Sequence, residues 1–182
     1  MTYIKKGNLL ISEPTISSDP FFKSIILIVE HTKNETIGLV LNEPTKLYLN
    51  KILEDFPIEN TPIFNGGPVE KNLIQFIHNI EKVPKSKEIV KGLYWGGDLD
   101  YIYNLIRIGS SDKENIKFFS GYSGWERDQL HEEIKYNAWV IKNPDINICM
   151  QQSDHNLWNK IVKFNKSEYY IWSNMPKDPN MN

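Results

Sequence analysis

Five consecutive apolar residues, Ile25-Ile26-Leu27-Ile28-Val29, end at the charged pair Glu30-His31 and constrain the fold more than any other segment. A membrane-spanning helix needs about 20 apolar residues, so this run is far too short to cross a bilayer. Its β-branched side chains favour extended backbone, and a short continuous apolar run suits a buried strand. Two similar runs flank it, and strands are expected over 8–12, 24–31 and 37–41, separated by Pro, Ser, Asn and Lys turns. The polar link 32–36 has the length of a hairpin connection, which predicts that the second and third strands are antiparallel neighbours.

Helix periodicity enters after Pro44. Leu49, Ile52, Leu53 and Phe56 fall at spacings of three, four and seven, which predicts a short amphipathic helix ended by Pro57. Ile63-Phe64 and residues 73–78 have strand character. Leu93-Tyr94-Trp95 leads to Gly96-Gly97-Asp98, where Asp98 is placed to cap a helix with Leu99, Ile102, Leu105 and Ile106 facing inward and Gly109 as its stop. A strand over 117–120 runs into Gly121-Tyr122-Ser123-Gly124-Trp125, and the next helix buries Leu130 and Ile134. Strands are expected over 138–142 and 146–150 around the turn Asn143-Pro144-Asp145. In a last helix, capped by Asp154, Leu157, Trp158, Ile161 and Val162 form the apolar stripe, and the tail 175–182 is polar and extended. No repeat, low-complexity linker or heptad run marks a boundary, so residues 1–182 read as one domain.

Of the 182 residues, 40% are hydrophobic and 24% charged, values of a folded globular chain rather than a disordered or fibrous one. A formal net charge of −2 gives no global attraction to a polyanion such as DNA. The basic stretch Lys82, Lys85, Lys87 and Lys91 is interrupted by Glu81 and Glu88 and reads as a solvated loop. No helix carries clustered Lys and Arg, and no helix pair has helix-turn-helix spacing, so direct DNA readout is not expected. The first residues lack the pattern of a secretory signal, which predicts a cytoplasmic protein. Cys149 is the single cysteine; it excludes an intrachain disulfide and reads as a small buried hydrophobe.

The segment Gly121-Tyr122-Ser123-Gly124-Trp125, followed by Gln129-Leu130 and Glu133, places two glycines and two aromatics before a helix. Together with Gly38-Leu39-Val40-Leu41-Asn42-Glu43-Pro44, Gly66-Gly67-Pro68-Val69, Asp19-Pro20-Phe21-Phe22-Lys23-Ser24 and Glu30-His31, it resembles the YqgE/AlgH family of bacterial proteins over most of the chain. The resemblance implies an α+β domain with a large mixed β-sheet flanked by helices. The family is largely uncharacterised, and one branch is associated with transcriptional regulation of exopolysaccharide (alginate) synthesis. Three positions depart from the family's pattern: Glu43 stands where Arg is usual, Asp128 where Gly is usual, and His131 where an acidic residue is usual. Glu43 reverses a charge, which weakens any anion site carried over from relatives.

Several chemistries compete for the polar residues. Glu30-His31, His78, His131-Glu132-Glu133 and His155 are of metal-ligating type, yet no second histidine at i+4 gives a zinc-binding helix face, and no metal is expected. Ser123 lies in a sequence that misses the nucleophile-elbow pattern by one residue, so no catalytic residue is assigned. Gly66-Gly67, Gly96-Gly97 and Gly121 to Gly124 offer backbone N–H groups to a phosphate, but none is a nucleotide-binding fingerprint, and tight turns account for them as well.

The sequence therefore predicts a binding or regulatory protein without a cofactor, acting through a protein or small-molecule partner. The alternative is a hydrolase or transferase using Glu and His residues near the Gly121 motif. The candidate binding surface comprises Glu30, His31, Asn42, Gly66, Gly67, Tyr122, Trp125, Gln129 and Glu133. Gln129 and Glu133, four apart on one helix, are expected to project together toward a strand loop bearing Asn42 or His31.

Overall fold

The apolar run at the start of the chain forms a strand buried on both faces. In the computed structural model, which describes residues 4–13, 20–152 and 156–164, Ile25, Leu27 and Val29 enter one core cluster while Ile26 and Ile28 enter another. That strand, β2 (Ile25–His31), lies between β1 (Leu9–Ser12) and β3 (Glu35–Val40), and both pairings are antiparallel. The β2–β3 hairpin is the one expected from the short polar link.

The remaining strands are β4 (Pro44–Tyr48), β5 (Pro62–Asn65), β6 (Val69–His78), β7 (Lys87–Val90), β8 (Leu93–Trp95), β9 (Ile116–Glu126) and β10 (Trp139–Lys142). They join into a ten-stranded sheet with the order β10-β1-β2-β3-β9-β6-β8-β7, while β4 and β5 branch from β9. The β5–β9 pairing is parallel, so the sheet is mixed. Along one edge, β9 is antiparallel to β3 through its C-terminal half and parallel to β5 through its N-terminal half. The sheet curls so that its β7 edge returns to β2: the Lys87 ammonium on β7 reaches Glu30 on β2 at 2.8 Å, and the Lys6 ammonium reaches the Glu88 carbonyl at 2.6 Å.

Four helices cover the sheet among the described residues: α1 (Leu99–Arg107), α2 (Gln129–Lys135), α3 (Ile146–Met150) and α4 (Leu157–Phe164). Leu157, Trp158, Ile161 and Val162 of α4 pack on the first core face, and Leu130 of α2 packs on the second. Ile102 of α1 joins Phe56, Ile63, Phe76 and Phe118 in a third cluster. Asp98 caps α1 by accepting from the Tyr101 N–H, as its position before the periodic residues predicts. The architecture is α+β with a large mixed sheet.

Local structure departs from the sequence reading at several places. The expected helix over 49–56 is a single 3-10 turn (Leu49–Lys51) after β4; Leu49 and Phe56 are buried, but Ile52 and Leu53 remain exposed. One turn with two anchors cannot repay helix nucleation, and the Leu49 N–H is taken by the Thr61 carbonyl. The expected strand over 146–150 is α3, because Asp145 accepts from the Asn147 and Ile148 N–H groups and fixes a helical start. A five-residue apolar run does not declare its period. The Lys82–Lys91 stretch contains β7 rather than being loop throughout. The strand leading into Gly121 continues through the whole motif to Glu126. The Asp154 cap, His155 and the tail 175–182 lie outside the described residues.

Gly66 and Gly67 are required by close backbone approach. Gly66 accepts from the Val40 N–H and donates to the Ser120 carbonyl, so it sits where β5 leaves β9 and β3 takes over. A Cβ on Gly66 would lie 2.3 Å from the Gly121 carbonyl oxygen, and one on Gly67 would lie 2.3 Å from the Tyr122 carbonyl. Gly66→Ala is expected to cost about 3 kcal/mol or more of stability, because the obstacle is backbone; chemical denaturation measures it.

Lys117 on β9 is wholly buried. Its ammonium donates to the Leu41 carbonyl at 2.8 Å and the Gln151 carbonyl at 2.6 Å, and lies 4.1 Å from the centre of the Phe64 ring. Burial pulls its pKa from 10.5 down to about 7, with the neighbouring Cys149 thiol opposing that shift. Burial likewise pushes the Cys149 thiol up to about 12, which keeps it protonated in the core. Between pH 7 and 10.5 the unfolded chain holds a Lys117 proton that the folded protein lacks, so stability rises with pH across this window. The limiting slope is about 1.4 kcal/mol per pH unit, and denaturation midpoints should lose this component in Lys117→Met.

Candidate functional site

The candidate site is built where β9 ends and α2 begins. After Glu126 the chain turns through Arg127-Asp128, and Asp128 adopts φ 64°. Asp tolerates this left-handed conformation better than most side chains. The turn swings α2 back over the sheet, so Glu133 meets two indoles. Its carboxylate accepts from Trp125 Nε1 at 2.9 Å and Trp139 Nε1 at 2.7 Å, and its other oxygen accepts from Gln129 Nε2 at 2.9 Å. Gln129 Oε1 in turn accepts from the Glu126 N–H. Phe21 completes the aromatic layer, with ring centroids 6.0 Å from Trp125 and 5.6 Å from Trp139. The i,i+4 pairing of Gln129 and Glu133 is therefore present, but its targets are indoles rather than Asn42 or His31.

Beside this bracket opens a cleft of about 470 Å³, floored by Thr36 and Leu130 and flanked by the β2–β3 hairpin and the start of α2. Its chemistry comes from His31 and His131, whose ring centroids are 6.2 Å apart. His31 Nδ1 is 2.7 Å from the Thr36 hydroxyl. Partial burial, and then the nearby His131, lower the His31 pKa below the ordinary 6.5, so this imidazole is neutral at pH 7. Lys33 and Arg127 supply two cations, and Glu35, Glu126 and Asp128 three carboxylates.

The other candidate residues lie elsewhere. Glu30 pairs with Lys87. The Asn42 side chain accepts from the Ile25 N–H and donates to the Lys23 carbonyl, both at 2.8 Å, and borders a separate hollow of about 330 Å³ with Trp158 and Asn159. Gly66 and Gly67 pack against the β9 backbone, and Tyr122 is half-buried against the first core face. Ser123 is buried and its hydroxyl donates to the Gly66 carbonyl at 3.1 Å. His78 is buried with its ring nitrogens 3.1 and 3.0 Å from the Ile80 and Gly96 carbonyls, and burial lowers its pKa despite both bonds. Among the described residues no three His, Cys, Asp or Glu side chains converge as a metal cluster. The sequence reading did not place Thr36, Arg127 or Asp128 at the site. Asp128, standing where the resembled pattern has glycine, is the signal in the sequence that points to that turn.

A curled mixed sheet with a polar cleft at one hairpin defines a protein of the α+β class. The profile of the AlgH-like family matches residues 9–170, and the chain belongs to that family. It is 37% identical over 178 residues to a UPF0301 protein of Bacteroides fragilis, covering 97% of this chain and 91% of that one. It is 33% identical to a UPF0301 protein of Cytophaga hutchinsonii, covering 98% and 100%. Among solved structures, protein DIP2367 of Corynebacterium diphtheriae superposes with a TM-score of 0.77 at 17% identity, covering 96% of this chain and 94% of that one, a likeness of fold. The AlgH protein of Pseudomonas aeruginosa gives 0.68 at 25% identity, with 97% and 99% covered.

Glu133→Ala strands two indole N–H groups and removes the brace on α2. We expect a stability loss of about 2–4 kcal/mol, read by denaturation, with a shift in tryptophan emission.

Proposed function

We propose that this protein is a non-catalytic regulatory binding protein whose cleft between the β2–β3 hairpin and α2 receives a small polar ligand. The cleft itself carries the reading: a concave site of ligand size, with convergent polar groups of both charges, held by a braced helix. His31 contacts the ligand directly, while Trp125, Gln129 and Glu133 fix the wall behind it. Glu30, Asn42, Gly66, Gly67 and Tyr122 hold the surrounding strands in register. The regulatory role follows the resemblance to AlgH-like proteins, and a cytoplasmic location belongs to the same reading.

The enzymatic reading has less support. Glu133 spends its carboxylate on three hydrogen bonds, and Ser123 is sealed from solvent. Neither is free to act as base or nucleophile. Direct DNA readout is disfavoured by the net charge of −2 and by the cleft's excess of carboxylates. No helix among the described residues is long and apolar enough to cross a membrane.

Titration of the labelled protein with a panel of nucleotides, amino acids and small carboxylates tests the reading by NMR. The expected result is saturable movement of amide signals from Thr32 to Thr36 and from Glu126 to His131, abolished in Arg127→Glu. A panel that leaves both segments unmoved, or moves them equally in Arg127→Glu, overturns it.

A further inference from the structure

We propose that His31 and His131 form a two-imidazole site for a divalent transition metal of the nickel, copper or zinc kind, within the cleft already read as the ligand site. The inference rests on that reading and names its ligand.

Three observations carry it. The two rings, tilted 44° to one another with centroids 6.2 Å apart, both line the cleft, one from a strand end and one from a helix. Two imidazoles on one ion bring their ring centroids to about 5 Å, given metal–nitrogen bonds of ~2.0 Å. His131 is exposed, so a small rotation closes the difference. Next, Nδ1 of His31 is held by the Thr36 hydroxyl, and Thr36 is itself buried. When Nδ1–H donates to that oxygen, Nε2 becomes the lone-pair nitrogen, the arrangement by which outer partners orient metal-binding histidines. Finally, the two cations of the cleft face three carboxylates, a net charge of −1 beside the rings that favours a cation. Imidazole selects nickel, copper and zinc over magnesium and calcium. With two protein ligands, the remaining coordination positions hold water or a carboxylate-bearing small molecule.

The site joins the end of β2 to α2. It escapes sequence inspection because its ligands are a hundred residues apart.

Titration of the full-length, metal-free protein with nickel chloride, followed by calorimetry and NMR, tests the proposal. The expected result is one ion per chain, with paramagnetic broadening confined to His31, Thr36, His131 and their neighbours. His131→Ala, an exposed position whose loss leaves the fold intact, should weaken binding about tenfold or more; Thr36→Val should weaken it about tenfold through the lost ring orientation. Absence of binding at millimolar nickel, binding undiminished in His131→Ala, or binding lost in His155→Gln instead each overturns the proposal. The small-molecule panel run without metal separates this outcome from failure of the cleft reading: saturable movement there with no nickel response discards the metal alone.

Discussion

The fold depends on one backbone crossing. β9 must serve β5 along its first half and β3 along its second, on the same edge and in opposite directions. The hand-over occurs where Gly66 and Gly67 press against Gly121 and Tyr122 at distances no side chain tolerates. Because the crossing leaves no room for a Cβ, it fixes where β5 ends and where β3 begins to pair. Everything C-terminal to it on β9, including Trp125 and the turn into α2, takes its position from that register. The cleft is thus set by packing some distance away from the residues that line it.

Much of this architecture was legible in the sequence. Residues 25–29 announced a buried strand, the polar link 32–36 announced the hairpin, and Asp98 with Leu99, Ile102 and Ile106 announced α1. These signals are local and strong. The failures have physical causes. Residues 146–150 are too short for their period to show, and the Asp145 cap decided between helix and strand. Residues 49–56 have helical spacing, but tertiary pairing of β4 with β5 took precedence. The strand through Gly121 hid because glycine inside a strand reads as a break unless its partner is known.

The candidate site was legible only in part. Gln129 and Glu133 were expected to share a helix face and do so, together with Trp125. Their indole partners could not be inferred, since nothing in local sequence connects Trp139 with Glu133. Asn42 illustrates the opposite case: a polar residue in a recognisable motif proves to be a backbone clamp holding Lys23 and Ile25. The His31–His131 pair is invisible to spacing rules, and Asp128, which makes the turn into α2, stands out in the sequence only as a departure from the glycine of the resembled pattern.

Lys117 has a consequence of another kind. At neutral pH a large share of its amine is unprotonated and hence nucleophilic, whereas surface lysines are almost wholly ammonium. Its chemical readiness is cancelled by enclosure, since it is sealed beneath Leu41, Phe64 and Gln151. Acylating reagents therefore meet this residue only during excursions that part β9 from its cover. The rate at which Lys117 becomes tagged is a clock for the breathing of the core, set within the strand that organises the molecule.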